Sequence, residues 1–257
     1  MPADPSAPTV ARVLSKVPEA TLIFWVVKIL ATTVGETGGD ALSMTLNLGY
    51  AVSSLIFLAF FVITLSAQIF SKRYHPLYYW AVIVATTTVG TTTSDYLDRT
   101  VGLGYIKSSI MLFCLVLAIL IAWHFTTGKV AVDVVTTPQN EFFYWVTILV
   151  SNTLGTALGD FTASDTGLGF ERGALVFAGL IALVALARYF TRIPGSVLFW
   201  SAYVLTRPLG ATLGDTLTKP HDLGGLALGR ITSSLVIAGA MVLLIATTSL
   251  RKRTELS

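Results

Sequence analysis

The chain has 257 residues, of which 54% are hydrophobic and 12% charged, and its formal net charge is +3. Soluble domains carry about 25% charged residues, so this composition excludes an ordinary water-soluble globule and points to an integral membrane protein. The small net charge gives no reason to expect a nucleic-acid partner, and Cys114, alone in an apolar run, excludes an internal disulfide or a cysteine-based metal site.

In chain order, the polar, proline-rich residues 1–18 form a cytoplasmic N-terminus without the positive-then-apolar design of a cleaved signal peptide. Apolar runs follow near 20–37, 48–70, 78–93, 103–125, 142–158, 167–190, 197–213 and 228–250. A spanning helix needs roughly 20 apolar residues. The even runs meet this, and the odd ones either just span or break in glycine- and threonine-rich sequence. The expected fold is all-α: eight transmembrane helices, four in 19–125 and four in 141–250, joined by a polar linker over 126–140 and closed by a basic tail over 251–257. The N-terminus and the loops after even runs hold ten Lys and Arg, against five after odd runs. The positive-inside rule then puts both termini in the cytoplasm.

Four copies of one unit make up these elements. Trp25, Trp80, Trp145 and Trp200 are each followed ten residues later by a glycine (Gly35, Gly90, Gly155, Gly210). Five residues further on stands an aspartate: Asp40, Asp95, Asp160, Asp215. Adjacent tryptophans lie 55, 65 and 55 residues apart, the signature of a unit duplicated twice. Each unit holds two helices, so the repeats run parallel, with pseudo-fourfold or two-by-two symmetry. Aromatic pairs at the tryptophans suit an interfacial belt. Small residues four apart close each odd run (Thr33-Val-Gly-Glu-Thr-Gly-Gly-Asp40 and its copies) and open each even one (Gly49-x-x-x-Ser53 and its copies). That spacing lets membrane helices approach closely.

The four aspartates carry the functional expectation, because ionisable groups in membrane segments are usually functional. Gly-Asp as a helix-ending turn is the structural alternative. Glu36 lies one turn from Asp40, and paired carboxylates favour a shared proton or bound cation. Thr33, Thr88 and Thr153 add hydroxyl oxygens; oxygen-only surroundings suit a hard cation. Lys28 and Arg207 break the repeat and set the local charge, with Arg207 a candidate counter-ion for an aspartate. The expected activity is transport or channelling of a small hard cation or protons through an outward-facing acidic site, in a lipid bilayer and without an organic cofactor. A non-transporting sensor or assembly partner is the first alternative, and an aspartate-based intramembrane enzyme the second. No nucleophile elbow, zinc-protease motif or phosphate loop is present. The oligomeric state is not written in the sequence.

The fourfold unit, with its Trp, its Thr-x-Gly segment and its Gly-Asp end, resembles a family of bacterial membrane proteins of unknown function. That family is built from four tandem two-helix repeats, each with a characteristic tryptophan. The resemblance covers about residues 20–250 and implies an eight-helix bacterial inner-membrane protein. It implies no activity. Arg207-Pro208 and five extra residues before Leu228-Gly229 depart from the pattern in the fourth copy.

Overall fold

The computed structural model describes residues 18–71, 74–128, 130 and 137–254; most of the N-terminal segment, parts of the linker and the end of the tail lie outside it. Eight long helices occur among the described residues, and no strand. They are α1 (Leu22–Asp40), α2 (Gly49–Phe70), α3 (Pro76–Asp95), α4 (Tyr105–Thr127), α5 (Pro138–Asp160), α6 (Gly169–Phe190), α7 (Gly195–Thr218) and α8 (Arg230–Thr254). Six of the eight (α1, α2, α4, α5, α6 and α8) are long and apolar enough to cross a membrane.

Packing sorts the helices into two shells. α1, α3, α5 and α7 form a closed inner ring, each touching the next and α7 returning to α1. The outer helices do not pack chiefly on their own partners. α2 lies on α3, α4 on α5, α6 on α7, and α8 closes the circle on α1. α1 and α5 bury 61% and 67% of their most apolar stretch, whereas α2, α6 and α8 bury 17% and α4 28%. Leu55, Ile63, Ile110, Leu175, Leu183 and Leu243 are among the large apolar side chains left exposed on the outer helices. A helix apolar all round with its face exposed needs lipid, not water, beside it.

The glycine ten residues after each tryptophan explains the ring's closeness. A Cβ on Gly35 would collide with Thr87, on Gly90 with the backbone of Asn152, on Gly155 with Arg207 and on Gly210 with Thr32. The contact runs cyclically from each repeat to the next. It is reinforced where Thr87 Oγ1 donates to the Ala31 carbonyl (3.2 Å) and Thr32 Oγ1 to the Thr206 carbonyl (3.1 Å). Gly39, Gly159 and Gly214 do the same one turn on, against Thr91, Ala211 and Glu36. The Gly-Asp step is therefore not a helix-ending turn. In α1, α3 and α5 the aspartate is the last α-helical residue and leads into a wide π turn (Ala41–Thr45, Tyr96–Thr100, Phe161–Asp165), whereas α7 runs on to Thr218. At the start of the even helices the two small residues differ: Ser53, Ser108 and Gly173 are buried, and a Cβ on Gly173 would meet Thr212 at 3.3 Å, but the glycines one turn earlier make no such contact. Gly49, Gly104 and Gly169 sit at φ of 74°, 75° and 77° with no neighbour, so they serve backbone conformation and not helix contact.

At the opposite end an aromatic collar draws the ring shut. Phe24 meets Trp80 at 5.6 Å between ring centroids, Tyr79 meets Trp145 at 5.8 Å, Tyr144 meets Trp200 at 5.9 Å and Phe199 meets Trp25 at 5.6 Å. The Tyr79 and Tyr144 hydroxyls share a hydrogen bond of 2.7 Å. Trp80, Trp145 and Trp200 are buried. The tryptophans turn inward onto the preceding repeat's aromatic instead of outward as an interfacial belt, because offset and edge-on ring pairs stabilise beyond their buried area.

Candidate functional site

Polar side chains stack in tiers along the inner ring, one helical turn apart. At the end opposite the collar stand the four aspartates, all buried. They do not form one fourfold site. Arg99 bridges Asp95 (3.1 Å) and Asp160 (3.3 Å), and Lys219 bridges Asp215 (3.1 Å) and Asp40 (3.2 Å). Arg230 also approaches Asp40 at 3.5 Å. Each bridging cation belongs to an even-numbered repeat and reaches the following one, so the symmetry at this end is two-by-two. The two cations also lie over equivalent aromatics: Arg99 is 5.9 Å from the Tyr50 ring and Lys219 is 6.0 Å from Phe170. Burial opposes the charge on Lys219, but the carboxylates of Asp215 and Asp40 outweigh it and raise its pKa above the ordinary lysine value.

Arg99 and Lys219 follow Asp95 and Asp215 by four residues, and that helical ion-pair spacing was the signal for them in the sequence. The equivalent places in repeats one and three hold Met44 and Ser164. As loop charges the two cations look unremarkable; Lys219 is buried and Arg99 part-exposed, and each becomes a ligand by reaching buried aspartates of two repeats.

One turn deeper lies the tier of Glu36, Thr91, Thr156 and Ala211. The small Ala211 leaves its place to the side chain of Arg207, which is wholly buried. The Arg207 Nη2 donates to Glu36 Oε2 (2.9 Å), Thr91 Oγ1 (2.5 Å) and Thr156 Oγ1 (2.7 Å). Arg207 is thus the counter-ion of Glu36 and not, as expected, of an aspartate; its long side chain reaches only the tier adjacent to its own. Glu36, Asp40 and Asp215 each present a carboxylate oxygen within 4.8 Å of the others. Asp40 Oδ1 has no hydrogen-bond partner. Thr33, Thr88 and Thr153 do not join them, since their hydroxyls donate one turn back to the carbonyls of Ile29, Val84 and Leu149. Lys28, nearest the collar, is fully buried, with Nζ 4.3 Å from the centroid of the Tyr203 ring.

The family model described as Repeat of Unknown Function (DUF347) matches residues 23–74, 78–129, 143–193 and 198–254. The chain belongs to this family. Each DUF347 repeat comprises one inner helix and the outer helix that follows it, and its contacts are completed by the next repeat in the ring. Neither a curated protein nor a solved structure matches the chain. Function must therefore be argued from the DUF347 tiers themselves.

Proposed function

We propose that this chain is a multi-pass transporter of a small hard cation or of protons, with Glu36, Asp40 and Asp215 as its site. The observation that carries the reading is the convergence of three buried carboxylates within 4.8 Å, with a buried lysine salt-bridged to two of them. Hard cations take oxygen ligands at about 2.3–2.6 Å for calcium, so oxygens this close can share one ion. Lys219 is already a cation in that place. An entering ion or proton displaces its ammonium from Asp40 and Asp215, and the exchange keeps the buried charge nearly constant. Asp95 and Asp160, held by Arg99, serve as the matching structural clamp.

In this proposal all eight helices cross the bilayer. α3 and α7 have 20 and 24 residues; at 1.5 Å per residue each covers the roughly 30 Å hydrocarbon core. Their polar residues face the ring and not lipid, which removes the cost that marks them down as spans. The distribution of Lys and Arg supports cytoplasmic termini, and the family resemblance supports a bacterial inner membrane. One observation favours the second reading, a sensor or assembly partner: every one of the four aspartates already has an intrachain cation.

The test is flux of H⁺, Na⁺, K⁺, Mg²⁺ and Mn²⁺ into proteoliposomes, with Glu36→Gln and Asp40→Asn/Asp215→Asn as controls. Flux of one cation that is lost in both folded variants is the expected result. Absence of flux from the folded wild type, with a stoichiometric partner retained on purification, would transfer the case to the second reading.

A further inference from the structure

The fourth repeat departs from the others just after its aspartate. Gly49, Gly104 and Gly169 stand nine residues after Asp40, Asp95 and Asp160, whereas Gly229 stands fourteen after Asp215. In place of the π turn, α7 runs on to Thr218 and a strap with a short 3₁₀ turn (His221–Leu223) returns to Arg230. The strap folds back onto the end of α7. The Leu226 and Leu228 amides donate to the Thr216 and Leu217 carbonyls (both 2.8 Å), and the Ala227 amide donates to the Lys219 carbonyl (2.9 Å). Thr216 and Leu217 lie in the last turn of α7, where carbonyls lack a partner within the helix. His221 Nδ1–H donates to the Gly225 carbonyl (2.9 Å), and a Cβ on Gly225 would collide with the Lys219 backbone. Ala227 is held at a φ of 53°, a strained conformation for a residue with a side chain. Both ends of the strap carry a cation, and both cations lie on one oxygen: Lys219 Nζ is 3.2 Å and Arg230 Nε 3.5 Å from Asp40 Oδ2. An incoming ion meets that oxygen already held twice. Lys219 is bonded to the strap through its own carbonyl and Arg230 ends it, so release of the strap from α7 frees both.

We infer that residues 219–230 are the gate of the Glu36, Asp40 and Asp215 site. The strap opens as one piece, withdraws Lys219 and Arg230 from Asp40, and admits a cation in their place. This rests on the transport reading and adds the device that regulates it. Relief of the Ala227 backbone favours opening, while the bonds to α7 and the two ion pairs favour closure. The strap is thus an element with two states whose balance an entering ion shifts.

The experiment fastens the strap to α7. Thr216→Cys with Leu226→Cys, in a Cys114→Ser background, is oxidised, and cation flux into proteoliposomes is measured before and after reduction. Loss of flux in the cross-linked protein, recovered on reduction, is the expected result, with neither single-cysteine variant affected by the oxidant. Cross-linked protein that transports as fast as reduced protein would overturn the gate and leave the transport reading standing. No flux from either the wild type or the reduced variant would remove both. Whether or not the cross-link forms, amide hydrogen exchange supplies a second measurement. The Leu226, Ala227 and Leu228 amides of the wild type should share one opening equilibrium, as a cooperative local unit does. All three should exchange faster by the same factor in Lys219→Met. Three unrelated rates, or rates unchanged in that variant, would refute opening as one piece.

Discussion

Gly90→Ala is a sharp test of the ring, because its effect runs against local propensity. In an isolated helix the change stabilises by about 0.5–1 kcal/mol. Here the new Cβ would stand 2.9 Å from the Asn152 carbonyl carbon and 3.0 Å from the Thr153 nitrogen. Both are backbone atoms and cannot rotate away. α5 must therefore shift off α3 by several tenths of an ångström, lengthening the 3.0 Å bond from Asn152 Nδ2 to Thr86 Oγ1. Overpacking typically costs 1–3 kcal/mol; less the propensity gain, the net loss is about 1–2 kcal/mol. At about 2–4 °C per kcal/mol for a chain of this size, Tm should fall by about 5 °C. The assay is thermal unfolding in detergent, followed by tryptophan fluorescence from the collar. Gly179→Ala on α6, where a Cβ meets nothing within 4 Å, is the control and should hold or raise Tm. A Gly90→Ala protein as stable as wild type would refute the close α3–α5 contact.

The remaining predictions probe charge and closure. Arg207→Met should destabilise by about 3–5 kcal/mol, as breaking a buried pair does. Adding Glu36→Gln should restore part of the loss, giving a coupling of about 2 kcal/mol in a double-mutant cycle of unfolding free energies. Lys219→Met should lower Tm more than Arg230→Met, because Lys219 touches two carboxylates and Arg230 one; equal effects would contradict the Lys219 bridge between Asp40 and Asp215. Ser234 Oγ donates to Thr37 Oγ1 at 2.8 Å, joining α8 to α1. Thr37→Cys with Ser234→Cys, in a Cys114→Ser background, should oxidise to a cross-link seen as a mobility shift on gels, and none should form if the ring is open.

The repeat, the eight helices and the close-packing glycines were legible in the sequence because they are local: periodicity and small-residue spacing lie within one element. What was not legible depends on which element becomes whose neighbour. Nothing in the spacing says that α2 packs on α3 instead of α1, or that each tryptophan faces the preceding repeat's aromatic. Arg207 was legible as a departure, but its partner was not, since the arginine's reach into the Glu36 tier depends on the small Ala211 of its own helix. Arg99 and Lys219 were readable as helical ion pairs with their own aspartates. Their second partners, Asp160 and Asp40, come from adjacent repeats and appear only in three dimensions.

The hand-over of every outer helix to the following repeat has a consequence for how the chain is made. A repeat leaving the ribosome has its inner helix uncovered on one side until a later segment arrives, and α1, made first, waits for α8, made last. The ring is therefore finished only by its two ends meeting. Because the contact joining repeat four to repeat one is of the same kind as the others, two half-length chains of two repeats each could close the same circle head to tail. The single chain secures by covalent linkage what such a pair would have to achieve by encounter within the bilayer.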